Sequence, residues 1–126
     1  GIAACAIASG QAAVTYSVLN VCRTGDNIIS VSTLYGGTYN LFAHTLPQFG
    51  IEVRFADGDD PSSVARLADE NTRAVFVESL GNPSLNVVDI RAWADAAHAV
   101  GVPLNQDYGG PYHLPCGVTA RRSRCW

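Results

Sequence analysis

Two hydrophobic periods alternate along this chain. Behind Ser9, whose hydroxyl suits an N-cap, Val14, Val18, Val21 and Cys22 recur at helical spacing, which predicts a helix opening there. A turn at Thr24-Gly25-Asp26-Asn27 leads into Ile28-Ile29-Ser30-Val31, a short buried strand. Tyr39, Phe42, Ala43 and Leu46 mark one face of a second helix that closes near Pro47 and Gly50. Ile51, Val53 and Phe55 then alternate with Glu52 and Arg54, the period-2 pattern of a half-buried strand. Asp60-Pro61 predicts an N-cap followed by the first helical position, with Val64, Leu67 and Ala68 inward. Ala74-Val75-Phe76-Val77 is a further buried strand. Asp89 caps a helix with Ile90, Trp93, Ala94 and Ala97 inward and Gly101 as its stop. Val102-Pro103-Leu104 opens a last strand, the proline sitting among its first residues.

Helix and strand alternating with short loops imply an α/β fold. The expected architecture is a mostly parallel sheet with helices on both faces and strands near residues 28–31, 52–55, 74–78 and 102–106. From Tyr108 to Trp126 neither period is present. The chain therefore divides into a partial domain over 1–107 and an irregular tail over 108–126, which is either a surface tail or a stretch read out of frame.

Composition narrows the class. With 126 residues, 48% hydrophobic and 15% charged, the chain is at most one ordinary globular domain. A net charge of −3 argues against nucleic acid or an anionic membrane as partner, and no apolar run is long enough to span a bilayer. Arg121, Arg122 and Arg124 are the only basic cluster and read as a solvated tail. Cys5, Cys22, Cys116 and Cys125 have neither C-x-x-C nor zinc-ligand spacing. Cys5 and Cys22 read as small buried hydrophobes in a reduced, cytoplasmic setting. No metal is expected: His44 and His98 lack partners at ligand spacing, and Asp57, Asp59 and Asp60 lack the calcium-loop pattern. Without an initiator Met, the N-terminus reads as cut from something longer.

Four places could carry chemistry. Ser9-Gly10-Gln11-Ala12-Ala13 opens a helix, where exposed N–H groups and the positive end of the dipole favour an anion. Tyr35 follows a strand and precedes Gly36-Gly37, so backbone can pass close to a ligand beside the ring. Glu78-Ser79-Leu80-Gly81-Asn82-Pro83 ends one buried strand and Asp107 ends the next, where open α/β sheets bind ligands. Each has a bland alternative: cap, packed ring, turn and helix cap. A dinucleotide module would need G-x-G-x-x-G after a first strand, and the chain has none.

Taken in this order, with Thr33-Leu34-Tyr35-Gly36-Gly37-Thr38-Tyr39-Asn40-Leu41-Phe42 between them, these runs resemble the cysteine/methionine-metabolism family of pyridoxal-phosphate (PLP) enzymes. The wording is most similar to its O-acetylhomoserine sulfhydrylases, which replace acetate by sulfide at Cγ to give homocysteine. The resemblance implies part of the large PLP-binding domain of a fold type I, aminotransferase-like enzyme. It implies PLP as cofactor, with its phosphate on the backbone amides of Gly10 and Gln11 beside Ser9. It places Tyr35 on the PLP ring with a share in proton handling, Asn82 at the 3-hydroxyl oxygen, Asp107 at the pyridine nitrogen, and Glu78 in support. It implies an alkyl-group transferase acting on a small amino-acid substrate, homotetrameric when full length. A cystathionine γ-synthase, a methionine γ-lyase and a non-catalytic remnant are the alternatives.

Two departures stand out. Relatives continue from the Asp through Asn-Thr, whereas this chain gives Tyr108-Gly109-Gly110-Pro111-Tyr112, two residues short of that pattern. All eight basic residues are arginines, so the lysine that anchors the cofactor covalently in such enzymes has no counterpart here. The resemblance thus implies a fragment, inactive as this polypeptide alone.

Overall fold

A computed structural model describes residues 3–56, 60–108 and, by backbone alone, 118–121. Among the described residues, five strands form one sheet: β1 Asn27–Ser30, β2 Glu52–Phe55, β3 Thr72–Glu78, β4 Leu104–Asp107 and β5 Val118–Arg121. Their order is β2-β1-β3-β4-β5. The first four are parallel, with Ile28 opposite Val53 and Ala74, and Glu78 opposite Asp107. β5 runs antiparallel to β4. The chain moves outward from β1 to β2, then crosses back over β1 to reach β3. Right-handed crossovers in opposite directions put their helices on opposite faces of the sheet. Helix α1 (Gly10–Val21) and helix α2 (Gly36–Asn40) pack together on one face, and α3 (Ser63–Leu67) with α4 (Ile90–Ala99) on the other. That leaves β1 and nearly all of β3 buried from both sides, which is why Ile28-Ile29 and Ala74-Val75-Phe76-Val77 at their centres are apolar without alternation.

The caps follow the sequence closely. Ser9 Oγ accepts the Ala12 N–H at 3.1 Å, and Asp89 accepts those of Arg91 and Ala92. Val14, Val18 and Cys22 are buried along α1, with Val21 partly so. Trp93 and Ala97 are buried on α4, and Gly101, at φ 81°, ends it in the left-handed region that glycine tolerates. Phe42 and Phe76 meet edge-on, centroids 4.9 Å apart, joining the α2 segment to the centre of the sheet.

Several expectations are corrected. The second helix is not one continuous α-helix: α2 passes into a π turn over Leu41–Thr45 and a 3-10 turn over Leu46–Phe49. The wider turn rotates the buried face, so Thr38, Leu41, Phe42 and Leu46 go inside. Tyr39 stays 44% exposed, stacked on Phe55 at 5.3 Å. Asp60 does not cap α3. Its carboxylate accepts from the Ser62 N–H and hydroxyl, making a turn of its own, and the helix starts only at Ser63. β4 begins at Leu104, because Pro103 has no N–H to give; its carbonyl still accepts from Val75 at 3.0 Å. Cys5 is exposed, while Cys22 is buried and its thiol is pushed up to about 11, chiefly by loss of water. β5 pairs with β4 within a stretch that showed no period; four residues suffice to satisfy an open strand edge and are too few to display alternation. The remainder of 108–126 beyond Tyr108, with Cys116 and Cys125, lies outside the described residues, as do Asp57 and Asp59.

At the N-terminal ends of the strands, polar side chains tie the sheet together. Asn27 donates to Asp69 at 2.8 Å, Thr72 donates to Asn27, and Arg54 reaches Asp69 at 2.7 Å. The Asn27 amide, followed by Arg54, holds the Asp69 carboxyl down at about 2. On the α1 face of β4 the accounting is less complete. Asn105 is 1% exposed, and neither polar atom of its side chain has a hydrogen-bond partner among the described residues. An orphaned buried amide costs about 1–3 kcal/mol. Asn105→Val should therefore raise the unfolding free energy by roughly 1–2 kcal/mol. Urea denaturation measures it, and a loss of stability would show that the amide is satisfied after all.

Candidate functional site

The connections after β1 and β3 leave in opposite directions, so the sheet has its topological switch point between those two strands. A crevice outside the carboxyl ends of strands at such a point is where open α/β sheets bind ligands. All four sequence-predicted places reach it, the third through Glu78 and not through Asn82.

Tyr35 lies just beyond β1, and its backbone N–H donates to both carboxylate oxygens of Glu78, at 3.0 and 2.9 Å. Glu78 is the last residue of β3, 1% exposed, and it also accepts from the Thr38 hydroxyl. One carboxylate thus spans the switch point and fastens the start of α2 to the end of β3. Next to it on β4, in register, stands Asp107, 7% exposed. Ser79 locks the two strand ends: its N–H and hydroxyl both donate to the Asp107 carbonyl, at 2.8 and 3.1 Å, and Gln106 donates to its oxygen.

The first turn of α1 reaches the same place. Gln11 Nε2 donates to the Gly37 carbonyl at 3.4 Å. Gly37 fills a tight corner: a Cβ there would stand 2.7 Å from Tyr35 Cε1 and 2.9 Å from Gln11 Oε1. Only a residue without a side chain lets the ring and the helix start approach each other. With Ala12 and Ala13 N–H groups bonded to Ser9, those of Gly10 and Gln11 are left without a partner inside the helix. Two open donors at a positive helix end suit an anion.

Asn82 is placed differently. It sits exposed on a loop that doubles back from β3, with the Gly81 N–H donating to Asn86 O at 2.8 Å and Leu80 bridging Val87. Asn86 anchors that loop to Thr33, beside the exit of β1, so Asn82 lies at the same end of the sheet.

Glu78 and Thr38 are more involved than the sequence suggested. The only available signal was an acidic residue at the end of an otherwise apolar strand, a costly place for a carboxylate. Burial pushes the Glu78 carboxyl up to about 7, with the nearby Asp107 charge adding to the effect and the Tyr35 N–H opposing it. No group of His, Cys, Asp and Glu among the described residues is placed to hold a metal ion. An open groove of about 370 Å³ lies elsewhere, against the edge strand β2 between Phe42, Pro47, Ile51 and Phe55.

The donor set fits a PLP-like molecule. There are open N–H groups for a phosphate, an aromatic ring 57% exposed for a pyridine face, and an acidic side chain for a pyridine nitrogen. No helix among the described residues is long and apolar enough to cross a membrane.

Comparison with known proteins points the same way. The chain is 52% identical over 116 residues to a homocysteine synthase of Schizosaccharomyces pombe, covering 90% of this chain and 27% of that protein. It is 47% identical over 104 residues to an O-acetyl-L-homoserine sulfhydrylase of Leptospira meyeri, covering 82% and 24%. The fold matches an O-acetylhomoserine sulfhydrylase of Wolinella succinogenes with a TM-score of 0.75 at 43% identity, over 79% of this chain and 28% of that one. It also matches a Campylobacter jejuni protein described as an O-acetylhomoserine (thiol)-lyase, with a TM-score of 0.77 at 40% identity, over 80% and 25%. That protein carries N'-pyridoxyl-lysine-5'-monophosphate. This chain spans about a quarter of the length of the curated relatives it matches. The family model for Cys/Met-metabolism PLP-dependent enzymes matches residues 1–109, and the chain belongs to that family.

Proposed function

We propose that this chain forms the cofactor-facing part of a PLP-dependent O-acetylhomoserine sulfhydrylase, an alkyl transferase in which sulfide displaces acetate at Cγ to give homocysteine. The observation that carries the proposal is the meeting of α1, Tyr35 and Asp107 at the switch point in a chain about half identical to enzymes named for that activity. The N–H groups of Gly10 and Gln11 hold the phosphate; Ser9, its hydroxyl already committed to Ala12, fixes the helix start that aims them. Tyr35 offers its ring face to the pyridine, and its hydroxyl can hold a proton near the reacting carbons. Asp107 keeps the pyridine nitrogen protonated, and Asn82 serves the 3-hydroxyl oxygen. Bound PLP supplies an electron sink for negative charge developing on substrate carbon. The substrate is a small amino acid, the setting cytoplasmic, and the full-length assembly a tetramer of like chains.

With no lysine, this polypeptide has no side chain able to tether the cofactor. Alone, it should form no homocysteine from O-acetylhomoserine and sulfide, with or without added PLP. A chimera in which residues 1–107 replace the matching segment of the Leptospira meyeri enzyme should do so. Sustained turnover by the chain alone would overturn the account of the missing lysine. A folded, PLP-loaded chimera that leaves O-acetylhomoserine and sulfide untouched would overturn the sulfhydrylase assignment.

A further inference from the structure

Glu78 stands out among the buried groups. A carboxylate at 1% exposure, inside a parallel sheet and with no cationic partner among the described residues, is held by one backbone N–H and one hydroxyl. Such a group is expensive to bury, and apolar packing of the same volume would serve stability better. What it does instead is geometric. The N–H it clamps belongs to Tyr35, and the hydroxyl belongs to Thr38 in the first turn of α2. Both partners lie in the segment that presses the Tyr35 ring onto Gly37 and the Gln11 side chain.

We propose that Glu78 is the positioning residue of this site: its carboxylate, gripping the Tyr35 N–H from the end of β3, holds the Tyr35 ring beside the start of α1 while standing next to Asp107. The proposal rests on the cofactor reading above.

The arrangement gives the grip a proton-dependent strength. Among the described residues, the titratable group acting on Glu78 is Asp107 on β4; Tyr35 meets it through its backbone N–H. Neither α1 nor α2 carries a charged side chain. With its carboxyl near 7, Glu78 is protonated below neutrality, and a neutral carboxyl is a weaker acceptor for the Tyr35 N–H than a carboxylate. The Tyr35 amide proton should therefore move downfield as pH rises through about 7.

The test uses the whole 126-residue chain, labelled with nitrogen-15 and free of ligand, titrated from acid to alkaline pH. The Tyr35 amide should inflect near 7, and Glu78→Gln should abolish the inflection while leaving distant amides unmoved. Glu78→Ala should speed exchange of the Tyr35 amide about tenfold, the loss of one charge-assisted hydrogen bond, and Glu78→Gln should largely restore it. With PLP itself as the probe, Glu78→Ala should weaken binding severalfold and Glu78→Gln should recover most of it. If Glu78→Ala fails to fold, the wild-type titration and Glu78→Gln still decide. A Tyr35 amide that ignores pH around neutrality, or an inflection that survives Glu78→Gln, overturns the proposal. So does a Glu78→Ala chain that binds PLP as well as wild type, with the cofactor reading left standing. A wild-type chain that binds no PLP would instead remove the cofactor reading, and the positioning role with it.

Discussion

Trp93→Ala should destabilise the chain by about 3–5 kcal/mol, the usual loss for truncating a fully buried aromatic. Trp93 is 0% exposed, the largest of the fully buried side chains, and it joins α4 to the sheet with Ala97 buried a turn later. Small domains have only about 5–15 kcal/mol in hand, so this one substitution should leave a large unfolded population at moderate temperature. Urea denaturation followed by far-UV circular dichroism would measure it. A change under about 1 kcal/mol would mean that α4 does not pack on β3 and β4, and the fold described above would need revision.

The second large effect concerns Asp107. In the chimera, Asp107→Ala should lower kcat/KM about a hundredfold or more, the scale seen when one preorganised electrostatic partner is removed from an active site. Asp107 is nearly buried beside Glu78, and Glu78, the neighbouring carboxylate at that end of the sheet, is committed to Tyr35 and Thr38 and does not replace it. Asp95→Ala, exposed on α4, is the control and should leave the rate unchanged. Equal rates for Asp107→Ala and the control would remove Asp107 from the site.

Much of this was legible in the sequence because the relevant signals are local. Ser9 and Asp89 are caps, and a cap is a matter of one side chain and the next three N–H groups. The unbroken apolar runs at Ile28-Ile29 and Ala74–Val77 announce strands covered on both faces. Glu78 directly follows such a run, Tyr35 comes shortly after another, and Asp107 follows the strand opened by Val102-Pro103-Leu104, which is enough to place them at one end of a parallel sheet. Other features depend on contacts that no local pattern records. The π turn after α2 rotates Tyr39 outward onto Phe55, and nothing in the spacing of Tyr39, Phe42 and Leu46 announces it. Asp60 looks like a cap by residue type, yet the N–H and hydroxyl of Ser62 satisfy it first. The grip of Glu78 on Tyr35 joins positions 43 apart in sequence, and only the closed sheet reveals it. The exposed place of Asn82 follows from the Gly81–Asn86 turn, where a Cβ on Gly81 would strike the Asn86 side chain.

The central claim is that three separated segments, at Gly10, Tyr35 and Asp107, make one face for a phosphorylated pyridine. Titrating the labelled chain with PLP, and separately with inorganic phosphate, tests it most directly. The account predicts weak, reversible binding in which phosphate alone moves the amides of Gly10 and Gln11, while PLP also moves those of Tyr35, Gly36 and Asp107. Shifts confined to the groove at Phe42, Pro47, Ile51 and Phe55, or none at Gly10 and Gln11, would contradict it.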